Sequence, residues 1–142
     1  MTRGNFNARN DLIYGCRLII VPAMKGMGEY CKDALKLAVV KNLGAAYEKF
    51  KSGCYAVWYP VKHRAPVRNF FETLRLTAIR DVIAAEFFLR EPVNPARLNG
   101  CGLLIINPPY GFETQAGPIL RAFKNTLGEA GASVAIERLI DE

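Results

Sequence analysis

The sequence predicts an α/β fold, a mostly parallel sheet with helices on both faces, three layers in all. Three observations predict it. Short apolar runs closed by Pro or Gly alternate with longer stretches whose apolar residues recur every three or four positions. Those are the periodicities of buried strands and amphipathic helices. The order in the first half reads β-α-β-α-β, and apolar strands separated by helices pair in parallel. Finally, 142 residues that are 51% hydrophobic, without repeats or low-complexity tracts, suit a single domain with its own core.

Residues 1–11 are polar and are expected to be disordered. Leu18-Ile19-Ile20-Val21 ends at Pro22, so 17–21 is assigned a buried strand, followed by a loop over 22–28. From about Glu29 to Lys51, Leu35, Val39, Leu43, Ala46, Tyr47 and Phe50 form the stripe of an amphipathic helix, with Lys32, Lys36, Lys41, Glu48 and Lys49 off it. Ser52-Gly53 ends this helix, the glycine suiting a left-handed C-terminal position. Cys54 to Tyr59 is an aromatic-rich strand stopped by Pro60. Lys62-His63-Arg64 is a basic loop. Pro66 fits a first helical turn, and Val67, Phe70, Phe71 and Leu74 supply the buried face of that helix.

Arg80 to Arg90 reads as a strand through Val82, Ile83, Ala84, Phe87 and Leu89, and 91–100 as a loop rich in Pro, Asn and Gly. Gly100-Cys101-Gly102 is read as a turn leading into the strand 101–106. Ile119, Leu120, Phe123 and Leu127 mark a helix beginning between Thr114 and Pro118 and closed by Gly128. Ser133 to Ile140 is the last strand, with Val134, Ile136 and Leu139 its apolar members.

The formal net charge of +6 suits a polyanionic partner such as RNA or DNA. Cys16, Cys31, Cys54 and Cys101 lie far apart with only His63 to help, so buried thiols are expected and a metal site is not. No apolar run approaches the roughly 20 residues that span a bilayer, and the first ten residues lack an apolar signal core. These features predict a cytoplasmic protein without a membrane partner.

The most specific local signal is Asn107-Pro108-Pro109-Tyr110 at the end of an apolar strand. The prolines stiffen the turn and remove two backbone donors, holding Asn107 and Tyr110 at a set separation. Such a turn can serve chemistry on an amine. The Asn oxygen and a proline carbonyl accept hydrogen bonds from the nitrogen, and the ring stacks on an extruded base. It can equally be a rigid strand-to-helix turn. Gly26-Met27-Gly28-Glu29-Tyr30-Cys31 has Cys31 where a third glycine of a nucleotide loop would stand, so it predicts no cofactor site. Lys62, His63, Arg64 and Arg68 are candidates for phosphate contact. Trp58 and Tyr59 are assigned to the core, and Glu86 and Glu91 have no carboxylate partner at a spacing that suggests acid–base work.

Three stretches together carry a resemblance: Gly53 through Lys62, Arg64-Ala65-Pro66-Val67, and Ala96 through Pro109 with its Leu-Asn-Gly-Cys-Gly run. They resemble the RlmJ-type 23S ribosomal RNA adenine N(6)-methyltransferases over about residues 40–140. Members of that family are roughly twice this long. The resemblance implies the C-terminal half of a Rossmann-like class I methyltransferase fold. It also implies S-adenosylmethionine as cofactor, ribosomal RNA as partner and the exocyclic amine of adenine as acceptor.

In the family the catalytic Asp-Pro-Pro-aromatic motif comes earlier than Asn107. The corresponding positions here are Val21-Pro22-Ala23-Met24, and valine cannot accept a hydrogen bond. The cofactor loop lies in the half that has no counterpart in this sequence. The expectation is therefore a truncated chain that neither binds the cofactor nor transfers methyl groups alone. The strand 17–21 would present an open edge, suited to a second copy or a complementary chain. The alternative is a basic α/β module that binds RNA or assembles with itself, without catalysis.

Overall fold

The structure, a computed structural model, describes residues 16–20 and 29–142, with side chains from Ala38 onward. The expectations for 1–11, for Val21 to Met24 and for the loop 22–28, with the Gly26 to Gly28 part of the nucleotide-loop pattern, lie outside the described residues. So do those for the side chains of Cys16, Cys31 and Leu35.

Five strands and three helices follow in the order β1 (Cys16–Ile20), α1 (Glu29–Lys49), β2 (Cys54–Val61), α2 (Arg64–Arg75), β3 (Val82–Phe88), β4 (Gly100–Ile106), α3 (Phe112–Leu127) and β5 (Ser133–Ile140). They form one sheet in the order β1-β2-β4-β3-β5. Only the β1–β2 pair is parallel. The β2–β4, β4–β3 and β3–β5 pairs are antiparallel.

The expectation of a mostly parallel sheet is thus corrected. β2 and β3 do point the same way, as a strand–helix–strand reading implies, but they are not neighbours. β4 inserts between them, with Ile106 opposite both Tyr55 and Val82. The connection from β3 to β4 runs over 89–99 and contains no helix. A parallel neighbour needs a crossover, usually helical, whereas a plain loop returns the chain antiparallel.

The alternation of side chains along each strand divides the sheet into two faces. On one face Tyr55, Val57, Tyr59 and Val61 join Val82, Ala84, Phe88, Leu104 and Ile106. They pack against Val40, Leu43 and Tyr47 of α1 and Phe70, Phe71 and Leu74 of α2. α3 lies over β3 and β5 on the other face, where Phe123 meets Phe87 with ring centroids 6.4 Å apart. α3 buries only Ala116 and leaves Ile119, Phe123 and Leu127 largely exposed.

Several local expectations are corrected as well. β2 does not stop before Pro60 but continues to Val61, with Pro60 opposite Cys101. The described β1 ladder ends at Trp58, so at Pro60 β2 has a strand on one side only, and edges tolerate proline. Gly100 and Gly102 belong to β4 and form no turn. α3 begins at Phe112, ahead of the expected range, and carries Pro118 inside it. Gly53 is not left-handed. Its constraint is steric, because a Cβ there would lie 2.4 Å from Cδ1 of Phe50. Phe50 falls just beyond α1 and is exposed, whereas Val40 is buried in its place.

Candidate functional site

Because β4 runs against β1, β2 and β3, its carboxyl end lies at their amino ends. Asn107-Pro108-Pro109-Tyr110 therefore emerges beside Gly53 and Asp81. Lys62, His63, Arg64 and Arg68 follow β2 at the opposite end of the sheet. Six strand steps at roughly 3.3 Å each place the two groups about 20 Å apart. The structure does not bring the two sets of candidate residues together.

At the Asn107 end the polar groups are turned inward. The Asn107 side-chain amide donates to the carbonyls of Lys51 at 2.6 Å and Gly53 at 2.8 Å. Its backbone N–H donates to the Asp81 carbonyl at 2.9 Å. Asn107 and Asp81 both adopt positive φ, 49° and 52°. Asx side chains tolerate this left-handed region better than most. Asp81 also accepts from Arg138. Pro108 is half-buried, Pro109 exposed, and the Tyr110 ring stands wholly in solvent. Asn107 thus ties the end of β4 to the segment that enters β2.

The opposite end is built differently. His63 caps α2 in an extended conformation, its Nδ1 accepting from the Ala65 N–H at 3.2 Å. The Lys62 carbonyl accepts from the amide of Asn99 at 2.7 Å, and the same buried amide donates to the Asn94 carbonyl at 2.8 Å. Arg64 lies over the Phe88 ring, 4.3 Å from its centroid, and pairs with Glu91 at 3.6 Å. Arg68 is exposed and makes no ion pair among the described residues.

Beneath these cations lies a constellation that the sequence reading assigned to core and turn. Tyr59 and Glu86, on β2 and β3, are both opposite Gly102 of β4. A Cβ at Gly102 would fall 2.1 Å from Cζ of Tyr59. The missing side chain lets the phenol lie across β4, where its hydroxyl donates to Oε1 of Glu86 at 2.9 Å. Phe71 meets the Tyr59 ring edge-on at 5.8 Å, and Phe70 lies at 6.2 Å.

Burial, with the adjacent Glu86 carboxylate, holds the Tyr59 hydroxyl far above the usual phenol range. Burial also raises Glu86, against the opposing pull of the Tyr59 hydrogen bond and of Arg64. Both groups are held toward their protonated forms. The sequence did carry a signal for this pair. Glu86 interrupts the apolar run Val82 to Phe88, and Gly102 is a glycine inside a strand, which marks a close approach.

Glu86 opens into a groove of about 390 Å³ between α2 and β5. Arg64, Val67, Arg68, Phe71, Glu72 and Arg75 line its helical side, and Glu86, Phe88, Ala135 and Glu137 its sheet side. Arg75 is held by Glu72 and, at 3.6 Å, by Glu137. β2 passes through Lys62 and His63 directly to α2 with no glycine in the turn, so this turn does not fit a nucleotide-cofactor loop, and the connection from β1 to α1 lies outside the described residues.

Comparison with known proteins places these features in a family. The family model described as "Ribosomal RNA large subunit methyltransferase D, RlmJ" matches residues 19–139. The chain belongs to that family. It is 36% identical over 93 residues to the ribosomal RNA large subunit methyltransferase J of Haemophilus influenzae strain Rd, covering 66% of this chain and 33% of that protein. It is 31% identical over 98 residues to the Escherichia coli K12 protein of the same name, covering 69% and 35%. The crystal structure of a Legionella pneumophila Philadelphia 1 protein superposes with a TM-score of 0.70 at 29% identity, over 87% of this chain and 44% of that one. The chain thus spans about a third of the length of the curated relatives it matches.

Proposed function

We propose that the chain is the C-terminal portion of an S-adenosylmethionine-dependent methyltransferase that acts on the exocyclic amine of adenine in 23S ribosomal RNA, and that it transfers no methyl group alone. The carrying observation is the family match over 19–139 in a chain whose aligned part covers about a third of its curated relatives. The position of β1 supports the same reading. β1 pairs with β2 on one side and has no strand on the other among the described residues. An open edge favours pairing with another chain. In this reading a complementary polypeptide completes the sheet beyond β1 and brings the cofactor loop.

In the same reading Asn107 is a structural latch, and Lys62, His63, Arg64 and Arg68 form the RNA-facing end. Titration calorimetry with S-adenosylmethionine tests this reading directly. The expected result is no heat of binding for the isolated chain, and micromolar binding would sink the proposal.

Co-expression with the N-terminal portion of a full-length relative is expected to restore methyl transfer to a ribosomal RNA transcript. The rival reading, a basic module that binds RNA or pairs with itself, is favoured by the +6 charge and by Arg68, which is exposed and forms no ion pair among the described residues. It predicts RNA binding with no gain of transfer on complementation. A second copy on the β1 edge would appear as a dimer in light scattering.

A further inference from the structure

We propose that the groove between α2 and β5 receives one unstacked nucleotide of single-stranded RNA, with its amino-bearing base against Glu86 and its phosphate on Arg68. The inference deepens the RNA partnership proposed above and rests on that reading.

Four observations converge on it. First, Glu86 is a half-buried carboxyl group inside the apolar run of β3, and Gly102 leaves the room in which the Tyr59 hydroxyl pairs with it. Burying such a group costs stability unless it is paired. Tyr59 occupies Oε1, and Oε2 has no hydrogen-bond partner among the described residues. One acceptor is therefore left at the groove.

Second, the groove offers a planar group. Phe71 and Phe88 are nearly buried at its floor, and the Arg64 guanidinium lies on Phe88, so the plane presented to the groove is the guanidinium. Unstacked RNA bases stack on guanidinium planes as they do on aromatic rings. Third, the cations are unequally engaged. Arg75 is neutralised by Glu72 and Glu137 and Arg64 is paired with Glu91, whereas Arg68 faces Glu86 without an ion pair or hydrogen bond among the described residues and has its donors open to an anion. Fourth, about 390 Å³ lies at the small end of the range of ligand pockets, suited to one nucleotide and not to a duplex.

In its ionised form Glu86 accepts from the amino groups of cytosine, adenine or guanine, and that bond opposes the burial that favours its proton, whereas uracil presents no amino group. The site is therefore expected to discriminate against uridine.

The test is titration of the whole chain with the four ribonucleoside 5′-monophosphates, followed by amide chemical shifts. Adenosine, cytidine and guanosine monophosphates are expected to shift residues 64–75 and 86–88 and to bind more tightly than uridine monophosphate. Arg68→Ala is expected to weaken all of them roughly tenfold, the scale of one charged hydrogen bond. Glu86→Gln, which keeps the volume, is expected to narrow the preference over uridine while leaving the phosphate contact intact.

Shifts confined to the Asn107 end, equal affinity for all four nucleotides, or affinities unchanged in both variants would each overturn the proposal, as would no binding at millimolar concentration. Unchanged far-ultraviolet circular dichroism of both variants guards against misfolding. Nucleotide binding needs neither cofactor nor complement, so its failure is distinguishable from failure of the methyltransferase reading. Restored methyl transfer with no nucleotide in the groove would refute this inference alone.

Discussion

The two ends of the sheet contrast in how they use polar groups. At the Asn107 end every polar group described above points inward. A side-chain amide is spent on two carbonyls, Asp81 is spent on Asn107 and Arg138, and Pro109 and the Tyr110 ring face water. At the Glu86 end a carboxyl group is kept half-buried, with one oxygen free of hydrogen bonds among the described residues, beneath an arginine that forms no ion pair among them. The first arrangement fastens strands together and leaves little to offer a substrate. The second costs stability and leaves recognition groups available. A stiff, specific sequence motif can therefore mark the fastening of a fold, while its more reactive groups lie on strands that the motif does not name.

The most severe way to break the contrast is Gly102→Ala. The new Cβ would meet the Tyr59 ring, which must leave its place and abandon Glu86. Overpacking together with the lost hydrogen bond is expected to cost about 3–4 kcal/mol in urea unfolding. In a Tyr59→Ala background the same change is expected to cost less than about 1 kcal/mol, because the clash has gone. Equal costs in both backgrounds would show that the ring is not what excludes a side chain.

Next comes the latch. Asn107→Ala removes two donors and puts a residue with no local hydrogen bond at φ 49°, for an expected loss of about 2 kcal/mol. Asn107→Asp is expected to lose more, because it sets a carboxylate against the Lys51 and Gly53 carbonyls. Neither change should alter nucleotide binding in the groove. A drop in that binding with a native melting curve would mean that the two ends act together.

A pH series sharpens the comparison further. The carboxyl group of Glu86 is raised in the fold, so the folded state holds its proton more tightly than the unfolded state does. Its contribution is fully present below the ordinary Glu value near 4.5, and it is lost as pH rises through the elevated folded value. Glu86→Gln should therefore flatten the decline of the urea midpoint above that pH and stabilise the protein near neutrality. An unchanged pH profile would mean that Glu86 is not the titrating group. The smallest effect is expected at Tyr110, whose ring is wholly exposed. Tyr110→Ala should change stability by less than about 0.5 kcal/mol.

Much of this fold is legible in the sequence because local periodicity reports burial. The helix from Glu29, the Phe70-Phe71-Leu74 face of α2 and the strand from Ser133 to Ile140 all follow from it. Strand direction is not legible in the same way. It depends on which strand lies beside which, and the only local hint was the helix-free connection over 89–99. Pro60 reads as a strand stop and Pro118 as the latest start of α3, because a proline's missing N–H is costly in the middle of an element. The neighbourhood of Pro60 shows how a partner-poor position relieves that cost.

The Tyr59–Glu86 pair lies 27 residues apart and is joined through a third strand, beyond the reach of spacing rules. Asn107 illustrates the converse. Its pattern is specific, yet only the antiparallel course of β4 reveals which end of the sheet it occupies. The family resemblance was legible because its signature runs are continuous, and two of them are what bring Tyr59 and Gly102 together.

Gly102 has a consequence for how such a sequence can change over time. Any side chain at this position is blocked while Tyr59 remains, and loss of Tyr59 leaves Glu86 half-buried without its donor. The three positions therefore form one mutational unit. Drift must take them in a fixed order, with the carboxylate neutralised first, the ring reduced second and the glycine replaced last. A copy of the chain released from selection would accumulate substitutions at Tyr110 or Val93 long before it altered Gly102.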